Sequence, residues 1–419
     1  MSSALLDVLA ASTLATLQFL LLASVGALAA VYPKEAPVLA TPNVKMLARL
    51  SNDIFLPAWT VSTIGARIDL QSLREDWAIC IAGFLTVFLG LGVADLTALV
   101  FRPNRELVPA MRVSIAFVNA LSIPLVLLGS LCESRRVNAQ AFDKSATDCK
   151  EEASAKLNVF MVAWHACMWS YGYATLERTA PKAEKHDIFS WQSLKRTAQQ
   201  PNIIGLFVGL FVALVPSLSV ALFRQKQPTP LRPLGAALEV LGNAMVASRV
   251  LISASAFVHG HIRRRAENKK RADDKKLETT TTRENIIVEE EDSASPKQGD
   301  IELSGGEAKE DLHKDEDQRH LATLVWFVSV RLIIVPLLAY GASFALRRTT
   351  NFGLSNLARL VILVEFAAPS AQTILTVLYA LGLSNVAETL APFFLVQYIV
   401  SIFTMTAFGA WALYIIYEA

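Results

Sequence analysis

Apolar stretches of about 20 residues follow one another along this chain, each long enough to cross a bilayer core of about 30 Å as a helix. They lie near residues 6–32, 47–65, 77–101, 109–132, 157–176, 202–223, 233–258, 321–346, 357–381 and 390–416 of 419. The weakest, 47–65, contains Arg49 and Asp53. The pattern predicts an all-α polytopic membrane protein with ten transmembrane helices. Ala27, Leu28 and Ala29 imitate a signal-peptide cleavage site, but no Lys or Arg precedes the run, which is also longer than a signal-peptide core. It is read as the first span.

Two of these stretches are interrupted alike. Residues 116–125 (AFVNALSIPL) hold Asn119 and Pro124, and residues 363–372 (LVEFAAPSAQ) hold Glu365, Pro369 and Ser370. Proline deletes a backbone donor and frees the carbonyl one turn earlier. In hydrocarbon such groups need a partner, so these breaks persist where they are buried in protein or line a cavity. Matched breaks in the two halves of a chain point to a transporter's binding site near the bilayer midplane.

One segment interrupts the apolar pattern. Residues 260–320 begin with Arg263, Arg264, Arg265, Lys269, Lys270, Arg271, Lys275 and Lys276 and continue through threonines at 279–282. Glu289, Glu290, Glu291 and Asp292 follow, then Ser293 and Ser295, two candidate phosphorylation sites. With no aromatic and few aliphatic residues, the segment is expected to be disordered. Its basic start places it in the cytosol by the positive-inside rule. The expected organisation is a first five-helix repeat at 1–177, a connection with spans six and seven at 178–259, the loop at 260–320, and spans eight to ten at 321–419. Five spans per half is an odd number, so halves of the same fold cross the membrane in opposite senses: two inverted repeats, with broken helices four and nine crossing near the midplane. Both termini then lie on the non-cytosolic side.

Polar side chains deep in a span are expensive and usually face a cavity or a partner. Candidates are Asp53, Asp95, Asn119, His165, Glu239, Asn243, Arg249, Arg331 and Glu365. Asn119, beside the first break, is read either as a substrate contact or as a hydrogen bond to a neighbouring helix. Glu365 is read as an ion pair with Arg331, with proton or cation binding as the alternative; in a cation-coupled carrier Glu365 or Asp95 would supply the ion ligand. Arg249 has Glu239 and Glu365 as prospective partners. A half-helix N-terminus after each break favours an anionic group, so the expected substrate is a small organic anion. Its carboxylate would sit against the helix starts after Pro124 and Pro369, with Asn119, Ser370, Gln372 and Thr373 as polar walls.

Composition agrees with this picture: 53% of residues are hydrophobic, mean hydropathy is +0.40, and the net charge of +2 is gathered at segment ends. No nucleic-acid partner is expected. Zinc-protease and phosphate-loop motifs are missing, so neither an enzyme nor a cofactor or metal is expected. The lipid bilayer is the expected surrounding, and a homodimer is left open.

The chain also resembles the auxin efflux carrier family, and more closely its PIN-likes branch. The resemblance rests on residues 54–58 (IFLPA), 117–125 with 130–133 (SLCE), 200–204 (QPNII), 328–336 (VSVRLIIVP) and 368–371 (APSA), in that order along nearly all of the chain except the central loop. It implies ten helices in two inverted repeats, with helices one, two, six and seven as a scaffold and the others as a mobile bundle. It further implies transport of indole-3-acetic acid or a similar weak acid, residence in the endoplasmic reticulum membrane (the plasma membrane being the alternative), a substrate-contacting amide at Asn119, and a crossover at Pro124 and Pro369.

The expected activity is therefore carriage of an organic anion by alternating access. A cation-coupled symporter of the same fold, or a non-transporting sensor signalling through the central loop, are the alternatives. Of four cysteines, Cys80 and Cys167 fall within spans and are expected to be reduced. Cys132 and Cys149 flank a loop placed on the non-cytosolic side, where disulfides persist, and are expected to be bonded.

Overall fold

The computed structural model describes residues 2–101, 103, 107–134, 142, 144–180, 190–224, 229–292, 321–347 and 354–417. Ser293, Ser295 and the rest of the expected loop to 320 lie outside these. Among the described residues the structure is helical, with no strand beyond one isolated antiparallel bridge between Val118 and Ser370. The helices used below are α1 (Ser2–Val31), α2 (Thr41–Leu50), α3 (Leu56–Arg67), α4 (Trp77–Phe101), α5 (Val108–Ala116), α6 (Ser122–Glu133) and α7 (Ala146–Cys167). They continue with α8 (Pro201–Leu214), α9 (Arg232–Asp292), α10 (Leu321–Ala342), α11 (Asn356–Ala367), α12 (Thr373–Ala380) and α13 (Ser384–Tyr417).

Four of these, α4, α10, α13 and the stretch Arg232–Lys270 of α9, are individually long and apolar enough to cross a membrane. Trp191–Ala198 with α8, bent by 63°, makes a fifth if counted as one. The other apolar stretches form helices too, but interruptions divide them. Between α2 and α3 a π turn spans Ser51–Phe55, and another spans Val330–Ile334 inside α10. Each ends two residues before a proline, Pro57 or Pro336, whose missing N–H cannot continue the ordinary i to i−4 ladder. The wider turn re-aims the side chains within it, Arg331 among them.

Helices approach closely where residues are small. A Cβ on Gly205 would lie 2.9 Å from the Cα of Pro57, and one on Gly209 would lie 3.0 Å from the carbonyl of Thr60. This pair, one turn apart on α8, lets its backbone rest on α3. On the outside, Phe88, Leu99, Phe207 and Val240 are largely exposed, which is stable against lipid tails.

The charged segment begins otherwise than its composition suggests. Helix α9 does not stop near residue 260 but runs to Asp292. Lys, Arg, Glu and Ala are strong helix formers even where they bury nothing, and Arg263 pairs with Glu267 one turn on. At the same level Arg263 reaches Glu388 at 2.9 Å and Asn385 at 2.9 Å, fastening α9 to the start of α13.

Cys132, at the end of α6, and Cys149, in the first turn of α7, are joined by a disulfide with Cα atoms 5.6 Å apart. The next residue along at each end, Glu133 and Lys150, forms an ion pair beside it. Cys80 and Cys167 are free.

Candidate functional site

The two breaks meet. Helix α5 ends at Ala116 and α6 starts at Ser122; α11 ends at Ala367 and α12 starts at Thr373. Between them the chains run antiparallel: Asn119 N–H donates to the carbonyl of Pro369 at 2.6 Å, and Ala371 N–H donates to that of Phe117 at 2.9 Å. Each break thereby satisfies backbone groups that the other leaves open, as burial requires.

The first break lies earlier than expected. Pro124 sits inside α6, in its third position, and the helix N-terminus is at Ser122. Proline clashes with the carbonyl four residues back but fits the first helical turn, where its absent N–H would lack a partner anyway. The interruption therefore falls on 117–121, upstream of the proline. Pro369, by contrast, lies within its break, and Ala368 before it is extended, with φ −66° and ψ 146°.

Side chains tie the crossing to α13. Asn119 accepts from Ser122 N–H, the first of α6, at 3.1 Å through its amide oxygen, and its amide nitrogen donates to the Tyr398 hydroxyl at 2.7 Å. That hydroxyl donates to the carbonyl of Ser370 at 2.9 Å. Ser370 N–H donates to Oε1 of Gln397 at 3.0 Å, and its hydroxyl donates to the carbonyl of Ser114 at 2.6 Å. Asn119 thus carries a structural role in addition to its place beside the pocket.

A small pocket opens at this crossing, with about 370 Å³ of empty space including the part open to solvent. Asn119, Ser122, Gln372, Thr373 and Arg249 supply its polar walls; Trp59, Met161, Trp164 and Met245 are its large apolar ones. The starts of α6 and α12 both reach it through Leu121, Ser122, Gln372 and Thr373. Of the residues expected here, Asn119, Gln372 and Thr373 line the pocket. Pro124, Pro369 and Ser370 do not; Ser370 turns its hydroxyl to the carbonyl of Ser114 in α5.

The expected charge pairs resolve differently. Arg331 is fully buried but bonds main-chain carbonyls: Ala368 at 2.6 Å from Nη2 and 3.0 Å from Nε, with Phe366 and Glu365 at 3.3 and 3.4 Å. It makes no hydrogen bond to the Glu365 side chain, whose oxygens are both buried without a partner. The reason is the break itself. Pro369 has no N–H for the carbonyl of Glu365, which accepts from Ala368 N–H at 3.3 Å instead, and α11 ends there, so the guanidinium serves a helix C-terminus with several carbonyls short of donors. Asp95 is half exposed and pairs with Arg112 at 2.7 Å, away from the pocket. Glu239 pairs with Arg232 at 3.1 Å and is therefore no partner of Arg249. Asp53 and Asn243 are exposed, whereas His165 is buried between Trp59 and Trp164 with ring centroids 6.0 and 5.4 Å away.

Sequence reasoning missed the aromatic and thioether walls, since a Trp or Met in an apolar span looks no different from one facing lipid. It also missed Tyr398 and Gln397, polar side chains within a long apolar helix that the same search for buried polar groups would have found.

The arrangement offers an anion two helix N-termini, two amides, two hydroxyls and a guanidinium. Among the described residues no group of three or more His, Cys, Asp or Glu side chains is placed to hold a metal. A family model described as "membrane transport protein" matches residues 13–408. Among curated proteins none matches the chain.

Proposed function

The chain belongs to the membrane transport protein family, the auxin efflux carrier family, and on that premise we propose that it carries a small organic anion by alternating access. The substrate class is an auxin-like weak acid of the indole-3-acetic acid type, and the membrane is that of the endoplasmic reticulum. One observation carries this reading: the paired breaks bring the starts of α6 and α12 to a single pocket. Each start carries about half a positive charge from its aligned peptides, so a carboxylate is favoured there before any side chain contributes.

Ten crossings in two inverted five-helix repeats fit the helical tracts, which fall on the ten apolar stretches of the sequence once each interrupted helix is joined across its π turn or break. In that topology the basic start of the 260–320 segment faces the cytosol, and the Cys132–Cys149 bridge lies on the opposite, oxidising side.

The test is uptake by purified protein in liposomes against a panel of labelled weak acids, with and without ion gradients. Saturable uptake of indole-3-acetate without an imposed cation gradient is expected; failure of every acid in the panel to enter overturns the proposal. A second reading, cation-coupled symport, is favoured by the unpartnered buried carboxylate of Glu365. It predicts that uptake scales with a proton or sodium gradient and that Glu365→Gln abolishes the dependence.

A further inference from the structure

Arg249 projects from α9 into the wall of the pocket, is 9% exposed, and has Nε and Nη2 buried without a hydrogen-bond partner. One carboxylate the sequence offered it is occupied by Arg232, and among the described residues Arg249 forms no ion pair. A guanidinium taken out of water without an acceptor is strongly unfavourable, and protein chains keep such a group where something else supplies the acceptor.

Nε and Nη2 form one edge of the planar guanidinium, the side-on fork whose two parallel N–H bonds match the two oxygens of a carboxylate. Trp59, Trp164, Met161 and Met245 line the same pocket. Aromatic faces suit a flat apolar body, and unbranched methionine side chains repack around whatever enters.

We infer that Arg249 is the carboxylate receptor of this pocket, taking a monocarboxylate bidentately while Trp59 and Trp164 flank its apolar body. This rests on the carrier reading above and deepens it by naming the charge that selects the acid. The half-helix ends are partial charges that also attract the oxygen of a neutral amide. The guanidinium is a full charge, and it alone makes the difference between the acid and its amide large.

The experiment compares equilibrium binding of radiolabelled indole-3-acetate with that of indole-3-acetamide to the purified protein, in wild type, Arg249→Gln and Arg249→Lys, alongside the thermal stability of each without ligand. Wild type should prefer the acid by at least about 30-fold, and Arg249→Gln should lose at least about 30-fold in affinity for it, the lower range for removing one partner of a buried charge pair. Arg249→Lys keeps the charge but not the fork and should lose about 10-fold. Ligand-free Arg249→Gln should be as stable as wild type or more so, because an unpaired buried charge has been removed; a marked loss of stability assigns Arg249 a structural role and overturns the inference. Binding by Arg249→Gln within twofold of wild type also overturns it and leaves the carrier reading intact. Wild type that binds neither compound nor any other labelled acid of the uptake panel overturns both.

Discussion

Substituting Arg331 separates two accounts of the span-nine break. If Arg331 serves the carbonyls at the end of α11, Arg331→Met takes the donor from one firmly held acceptor, Ala368 O at 2.6 and 3.0 Å, and from two marginal ones at 3.3 and 3.4 Å. The two bonds to Ala368 share an acceptor and count once. An orphaned buried carbonyl costs about 1–3 kcal/mol, and the long contacts together add about 1 more. The expected loss is about 2–4 kcal/mol. Glu365→Gln keeps the shape of a side chain whose oxygens bond nothing, and an amide is cheaper to bury than an unpaired carboxylate, so it should be neutral or stabilising. The assay is unfolding of the purified protein in mild detergent by denaturant titration, followed by circular dichroism. A direct ion pair predicts something else: comparable losses from both single variants, and partial recovery in the charge-swapped Arg331→Glu, Glu365→Arg double variant. That result would refute the capping argument.

Asn119→Ala should cost about 1–2 kcal/mol of stability through loss of its bonds to Ser122 N–H and the Tyr398 hydroxyl, as well as weakening substrate binding, whereas Tyr398→Phe should cost about 0.5–1.5 kcal/mol; the same titration with a binding assay separates the two effects. Cys132→Ser should lower stability by about 3 kcal/mol, the chain-entropy value for a loop of this size, and non-reducing mass spectrometry of protein from its native membrane should find Cys132 and Cys149 bonded. Both thiols free there would count against the bridge and against the orientation that places it outside the cytosol.

The sequence carries its own punctuation more openly than its partnerships. Proline chemistry marked both breaks, because a missing donor has consequences wherever it falls. It misplaced the first by a few residues, since Pro124 is accommodated inside a first turn and pushes the interruption upstream. Arg331 and Glu365 looked complementary as residue types, but the acceptors Arg331 uses are main-chain carbonyls, which no side-chain inventory displays. Arg249 was visible as a buried cation, while its lack of a partner depended on Arg232 claiming Glu239. The helix beyond residue 260 was hidden for a different reason: composition reports whether a segment can bury surface, not whether its backbone coils.

The crossing is joined main chain to main chain, through the N–H groups of Asn119 and Ala371 and the carbonyls of Pro369 and Phe117. Every amino acid but proline owns that N–H, so these two bonds survive a change of side chain at either donor position, even where, as at Asn119, the side chain holds α6 and Tyr398 besides. Descendants of this chain can therefore exchange the pocket residues other than Asn119 one at a time, acquiring a taste for a different acid, without the two halves of the molecule losing their grip on each other.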